Sequence, residues 1–176
     1  AAEGLELPVR SDHEWTTDFE PAIARMGIDR WVYGLSSLEL TTYWWGHFGV
    51  FPLAEEFDQP NGGSIQWYDA HSGIGYRHRT PVEVFDLVYE RNDPVWGAPA
   101  IIVNHPRSSN TPVIGKAFAY FAAMGYDPVT GDWQDGTHDE RFQFIEAFND
   151  SDFDANYVTT ALSSTNSGTV NDWFSF

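Results

Sequence analysis

The sequence contains no cysteine, few basic residues and no long apolar run, and each absence excludes something. Without Cys, no disulfide can form and no thiolate can bind a metal, so a metal would need His and carboxylate ligands, which suit Zn, Mn or Fe. Only 9 Lys and Arg stand against 26 Asp and Glu, a net charge of −17. Because Lys and Arg neutralise phosphates, we expect no nucleic-acid partner. No apolar run is long enough to span a bilayer, so we expect no membrane partner.

The composition favours a folded core. The chain has 176 residues, of which 42% are hydrophobic, with 8 Trp, 8 Tyr and 13 Phe, which excludes low-complexity disorder. No repeat or linker divides it, so residues 1–176 are predicted to form a single domain. No targeting or lipidation motif is visible, but the chain begins at Ala1 and a segment could have been removed. We therefore predict a soluble chain, leave its compartment unassigned, and keep a secreted or periplasmic location open.

Short apolar runs alternate with helix-like segments, which predicts an α/β fold class. A capping box of Thr17 and Glu20 predicts a helix that ends at Gly27, and a second box, Thr80 and Glu83, predicts a helix to about Asn92. A third helix is predicted to stop at Gly125. Strands are predicted over residues 5–9, 31–40, 48–53, 98–103 and 141–148.

Residues that could bind a metal lie at the predicted strand ends. Asp12 and His13 follow the first strand, Glu39 lies in the second, His47 precedes the third and His105 follows the fourth. In parallel α/β folds, sites are built at the carboxyl ends of strands, so we predict that these side chains converge. Such a ligand set can hold a divalent ion and leave a position for an activated water. A structural role for strand-end histidines is the alternative that spacing alone favours.

Several longer motifs carry a resemblance to a known family. They are Ser11-Asp12-His13-Glu14, the run from Leu38 to Leu53 with Glu39 and Gly46-His47-Phe48, Asn104-His105-Pro106-Arg107, Gly125 to Gly131, and Phe144 to Asn149. In this order they resemble the metallohydrolases of the PHP (polymerase and histidinol phosphatase) superfamily, in particular its carbaryl-hydrolase-like CehA/McbA branch. The resemblance implies a distorted, TIM-like (βα) barrel with divalent metal ions, Zn, Mn or Fe, at its mouth.

The resemblance also implies roles for individual residues. The metal ligands would be His13, Glu39, His47 and His105, with Glu39 bridging two ions. Asp12 would orient a ligand and Arg107 would meet an anionic group of a small-molecule substrate, although a surface or capping role for Arg107 is an equal alternative. The family's H-x-H and Asp-x-His motifs have no counterpart here. We therefore expect a partial barrel truncated at both ends, with incomplete metal occupancy, poor catalysis and self-association at an open strand edge.

Three functions are compatible with the sequence. The first is a hydrolase that uses a metal-activated water on a phosphoester, ester or carbamate bond. The second is a non-catalytic fragment of this fold that acts as a structural or binding module. The third, a carbohydrate-binding module, would use the aromatic residues Trp31, Tyr33, Tyr43, Trp44 and Trp45 but leaves the His and Glu motifs unexplained. The weaker polar candidates, for which structural roles are the equal or better interpretation, are His71, His78, Asp135, His138, Asp139, Glu140, Glu146 and Asn149.

Overall fold

A computed structural model describes residues 4–69, 77–107 and 119–146. These residues form strands β1 (Leu38–Thr41), β2 (His47–Phe51), β3 (Tyr68–Asp69), β4 (Arg77–His78), β5 (Ala100–Asn104) and β6 (Phe144–Ile145), and helices α1 (Glu20–Met26), α2 (Pro81–Glu90) and α3 (Tyr120–Met124). A short 3₁₀ turn covers Pro60–Gly62. Among the described residues, no helix combines the length and apolar character needed to cross a bilayer.

The strands form a four-stranded sheet in the order β1-β2-β5-β6 and a separate β3-β4 pair. In the larger sheet β1 pairs antiparallel with β2 and β2 antiparallel with β5, whereas β6 pairs in parallel with β5. The mixed α/β class is thereby confirmed, although the described strands form two small sheets and no closed barrel. His47 begins β2, as its predicted position just before the third strand indicates, and the antiparallel pairing places it beside Thr41 and Asn104 at the carboxyl ends of β1 and β5.

The core lies against one face of the larger sheet. Alternate residues of its strands point to this face and are buried: Leu38, Leu40, Phe48, Val50, Ile101 and Val103. They share one apolar cluster with Val84, Phe85 and Val88 of α2 and with Tyr120, Phe121 and Met124 of α3. The opposite face carries Glu39, Thr41, His47, Gly49, Ile102 and Asn104. We call this second surface the open face.

The helix ends match the sequence patterns only in part. The capping box of Thr80 and Glu83 is present at α2, and Gly27 and Gly125 close α1 and α3 in the left-handed conformation. The predicted box at Thr17 is wrong, because Thr17 exchanges two backbone hydrogen bonds of 2.9 Å with Ser37. Helix α1 therefore begins two residues later, with Phe19 as its N-cap.

The strands are shorter than the apolar runs that predict them. Of the run 31–40, only the last part forms β1, and residues 35 and 37 make isolated bridges to Val9 and Thr17. The run 5–9 contributes only the bridge at Val9. In the run 141–148, β6 begins at Phe144, and residues 147–148 lie outside the described part of the chain. The N-terminal segment thus contacts residues 35–39 through single bridges and does not form a continuous ladder with β1.

The capping box generates a prediction about stability and pH. Glu83 accepts two hydrogen bonds from Arg77 and one from the Thr80 amide. Chiefly through the Arg77 bonds, its pKa is lowered from 4.5 to about 2. A lowered carboxyl pKa stabilises the fold above the unfolded value, and that contribution is lost as pH falls from about 4.5 through about 2.

We expect Glu83→Gln to lower the free energy of unfolding by about 1 kcal/mol at pH 7. The difference from wild type should shrink as pH falls from 4.5 towards 2, as measured by denaturant unfolding. Thr80→Ala should cost a similar amount, whereas Thr80→Ser keeps the cap and serves as the control. A gap between Glu83→Gln and wild type that stays constant with pH would contradict the assignment.

Candidate metal centre

The pleat of the sheet places four polar residues on the open face. Thr41, His47 and Asn104 form one row across β1, β2 and β5, and Glu39 lies in the next row beside Gly49. Residues two apart on a strand point to the same side. Glu39 and Thr41 therefore lie on the same side as His47, although most of their sequence neighbours are core residues.

The turn between β1 and β2 fixes the pairing of Thr41 with His47. The Thr42 hydroxyl donates to the Gly46 carbonyl at 2.7 Å and accepts from the Trp45 amide at 3.1 Å. Gly46 has φ +116°, and a Cβ there would lie 2.9 Å from the Tyr120 amide nitrogen. Both the positive φ and the close approach to Tyr120 require glycine at position 46, so the start of β2 packs directly against helix α3.

His13 reaches the site from the N-terminal segment. The Glu39 amide donates to the Asp12 carbonyl and the Glu14 amide donates to the Glu39 carbonyl, both at 2.9 Å. This pairing brings His13 beside Glu39, with 3.7 Å between Nδ1 and Oε2. The same Nδ1 lies 2.7 Å from the Thr41 hydroxyl. Backbone hydrogen bonds to β1 thus hold His13 over the open face, although it lies 26 positions before Glu39 in the chain.

His47 and His105 complete the group. His47 Nδ1 lies 3.5 Å from Glu39 Oε1 and 2.8 Å from His105 Nε2. The structure therefore brings all four predicted ligand residues into one chain of contacts, His13 to Glu39 to His47 to His105. Their role as metal ligands stays a prediction.

Glu39 is a buried carboxylate that the surrounding groups keep ionised. Burial by itself would raise the pKa of Glu39. Hydrogen bonds from His47 and Asn104, together with the proximity of the His13 and His47 imidazoles, outweigh burial and lower the pKa below its usual value. A negative charge at the centre of the group is what a divalent cation requires.

A second carboxyl group nearby behaves in the opposite way. Burial raises the pKa of Glu14 to about 7; a hydrogen bond from the Thr41 amide opposes this shift and the charge of Glu39 adds to it. Glu14 also has φ +55°, in the left-handed region that a non-glycine residue seldom adopts. The segment next to His13 is therefore held in an unusual conformation by its contact with Thr41.

The donor atoms lie near the spacing that a divalent ion needs. Two ligands of a tetrahedral zinc ion, bound at about 2.0–2.1 Å, lie about 3.3 Å apart. The two imidazole-to-carboxylate distances of 3.7 and 3.5 Å are close to this value but involve different oxygens of Glu39. One donor atom from each of His13, Glu39 and His47 lies within 4.8 Å of the others, so the three donors would draw closer together around a single ion. The 2.8 Å between His47 and His105 is a hydrogen-bond distance, so both could join one ion only after a small separation.

The two predicted catalytic residues have other partners in the structure. The Asp12 carboxylate lies 2.6 Å from Arg10 and accepts a long hydrogen bond from Thr17. The Arg107 guanidinium donates to the Tyr126 carbonyl at 3.0 Å and lies about 6 Å from the centres of the Phe121 and Tyr126 rings. Their proposed roles towards a ligand and a substrate stay predictions.

The weaker candidates lie in other contacts. His78 stacks on Trp67 at 5.3 Å, and His138 stacks on Trp133 at 4.7 Å with Nε2 3.3 Å from Glu140. Asp135 caps the Thr137 turn, and Asp139 pairs with Arg141. Trp45 is buried, whereas Trp31, Tyr33, Tyr43 and Trp44 are exposed. His71 and Asn149 lie outside the described residues.

Sequence reasoning passed over several residues of the group. Thr41 and Asn104 share its face of the sheet, and Glu14 contacts Thr41. Glu146, treated above as a minor candidate, contacts His105 through its carboxylate. The alternation of side chains along a strand could have identified Thr41, because it lies two residues from Glu39 and therefore points to the same face. The contact of Glu146 with His105 depends on the β5-β6 register and has no local signal.

Two of the depressions on the described surface bear on the site. One of about 300 Å³ on the open face is lined by Gly49, Ile102 and Asn104, next to the metal candidates, and by Val9, Ser11 and Phe51. The other, of about 680 Å³, lies between residues 4–7 and 28–33 and includes no member of the group. The smaller one reaches the group through Asn104, whereas none of the four candidate ligands lines either depression.

No protein-family model, no curated protein and no solved structure matches this chain.

The turn at Gly46 gives a prediction about the site. Gly46→Ala adds a methyl group against the Tyr120 backbone at a backbone angle that disfavours it, so we expect a loss of about 3 kcal/mol in the free energy of unfolding. Gly97→Ala is the matched control, because Gly97 also has positive φ but has open space around its Cβ position. It should cost about 1 kcal/mol. Equal losses in denaturant unfolding would contradict the close approach of Gly46 to α3.

Proposed function

We propose that this chain is a metal-dependent hydrolase of the PHP type, related to the CehA/McbA branch, that acts on a phosphoester or on an ester- or carbamate-like bond. The observation that carries the proposal is the arrangement of His13 and His47 on the two oxygens of Glu39, with one donor atom from each of the three residues within 4.8 Å of the others. The donor types, imidazole and carboxylate, favour Zn, Mn or Fe.

The ion, when bound, would polarise the scissile bond and acidify a water molecule. The protein's own part is to hold the donors. Glu39 supplies the charge, and Asn104 fixes its carboxylate by a hydrogen bond. The Thr41 hydroxyl lies 2.7 Å from His13 Nδ1, and an ion at that nitrogen would replace this hydrogen bond. His13, Glu39 and His47 would supply three ligands and leave a coordination position for His105 or for a water molecule.

The surroundings of the group favour a small substrate that contacts the open face. The cavity of about 300 Å³ beside Gly49 and Asn104 is mostly apolar and could hold the non-reacting part of such a molecule. Arg107 remains our candidate for contact with an anionic group, since its side chain follows His105 by two residues.

We further propose that the larger sheet is part of a PHP-type barrel. Parallel contacts occur at both of its edges: β6 runs parallel to β5, and the N-terminal segment makes parallel bridges at Val9 and His13. Barrels of this class are built from parallel neighbours. The antiparallel pairs β1-β2 and β2-β5 would then be the distortion of that barrel.

A non-catalytic binding module is the second candidate, and one observation favours it. His13 is hydrogen-bonded to Thr41, and His47 to His105, so the imidazoles have protein partners without an ion. Such a module would keep the fold and show neither stoichiometric metal nor turnover.

We expect the purified chain to bind Zn²⁺ or Mn²⁺ at less than full occupancy and to hydrolyse p-nitrophenyl phosphate or p-nitrophenyl acetate slowly. Glu39→Gln keeps the shape of the side chain but removes the charge, so metal affinity should fall by more than the roughly 10- to 100-fold cost of losing an outer-shell partner. His47→Ala should do the same. Calorimetric titration and elemental analysis measure the binding, and absorbance at the nitrophenolate band measures the turnover.

His138→Ala is the matched control, because it removes an imidazole that stacks on Trp133 and pairs with Glu140. It should keep wild-type metal content and rate. Metal binding that survives in Glu39→Gln would contradict the site, and a folded wild type with neither metal nor turnover would favour the binding module.

A further inference from the structure

His105 is held in a backbone conformation that needs support. Its φ is +32°, and it is one of three non-glycine residues with positive φ in the described part of the chain, beside Glu14 and Asn61. Such conformations are strained for residues with a Cβ and persist only where the surroundings enforce them. The His105 amide is hydrogen-bonded to the side chain of Glu146.

Glu146 contacts both the backbone and the ring of His105. Its Oε2 accepts the His105 amide proton at 2.6 Å and lies 3.6 Å from the ring Nδ1. The Glu146 amide in turn donates to the Val103 carbonyl at 2.9 Å, so Glu146 extends the β5-β6 pairing by one residue. The carboxylate is therefore placed by the sheet and not by a mobile loop.

The two nitrogens of the His105 ring face opposite partners. Nδ1 faces Glu146, whereas Nε2 points into the group and lies 2.8 Å from His47 Nδ1. A carboxylate beside the distal nitrogen of a metal-binding imidazole is the usual device that fixes the tautomer and raises the basicity of the ligating nitrogen. In this chain Glu146 occupies that place, while the Asp12 carboxylate is paired with Arg10.

We propose that Glu146 is a positioning residue that fixes the backbone of His105 and directs its Nε2 towards the metal centre. Only the metal-binding part of this inference rests on the proposed function. The anchoring of His105 concerns this chain's own residues and can be measured without any ion.

The first measurement uses the metal-free protein. In ¹H-¹⁵N spectra, the His105 amide and ring signals should shift in Glu146→Ala, because the amide loses a charged acceptor and the ring loses its neighbour. Glu146→Gln keeps a carbonyl oxygen for the amide and should restore the amide signal in part. Glu140→Ala is the matched control, since Glu140 lies beside the His138 ring, at 3.3 Å; it should leave the His105 signals unchanged.

The second measurement titrates Zn²⁺ into the same four proteins by calorimetry. We expect Glu146→Ala to bind Zn²⁺ about 10- to 100-fold more weakly than wild type, Glu146→Gln to lose less, and Glu140→Ala to match wild type. If wild type binds no Zn²⁺, the proposed function fails, and the spectra of the metal-free proteins still decide the positioning role. Unchanged His105 signals in Glu146→Ala, or a Gln variant as impaired as the Ala variant, would overturn it.

Discussion

The alternation of side chains along β1, β2 and β5 is the constraint on which the candidate site depends. Each strand presents apolar residues to the helices on one side and polar residues to the open face on the other. A shift of register by one residue would move Glu39 into the core and Leu40 out of it. Because burial of Leu38, Leu40, Phe48 and Val50 holds the register, the core also determines the spacing of Glu39 and His47.

How far the sequence predicts this arrangement differs between local and long-range features. The capping box at Thr80 and the helix ends at Gly27 and Gly125 depend on a few adjacent residues, so they are predicted correctly. The box at Thr17 has an equally good local pattern but is wrong, because the Thr17 backbone bonds to Ser37. Thr17 can either cap the helix or form a β-bridge, and the tertiary structure determines which of the two it does.

The same distinction applies to the site. His13, Glu39, His47 and His105 could be picked from the sequence because motif order and strand ends single them out, and the structure places them in contact. The direction of the strands could not be predicted, since an apolar run does not show whether its neighbour is parallel or antiparallel. Glu146 is the clearest case of a residue that needs the fold: its contact with His105 spans 41 positions and depends on the β5-β6 register.

The charges in the group explain why the site is more than a cluster of polar residues. Glu39 is buried, and an ionised carboxylate in such a place is costly unless it is paired and hydrogen-bonded. His13, His47 and Asn104 supply those interactions, but two of the three are groups whose donors must be deprotonated to bind a metal. A bound ion would thus supply the compensating positive charge itself. Removing Glu39 would leave the imidazoles without the charge that draws a cation between them, whereas removing Glu146 would loosen only His105. In the proposed site the two carboxylates would therefore act at different levels: Glu39 would supply the binding charge, and Glu146 would hold His105 in place.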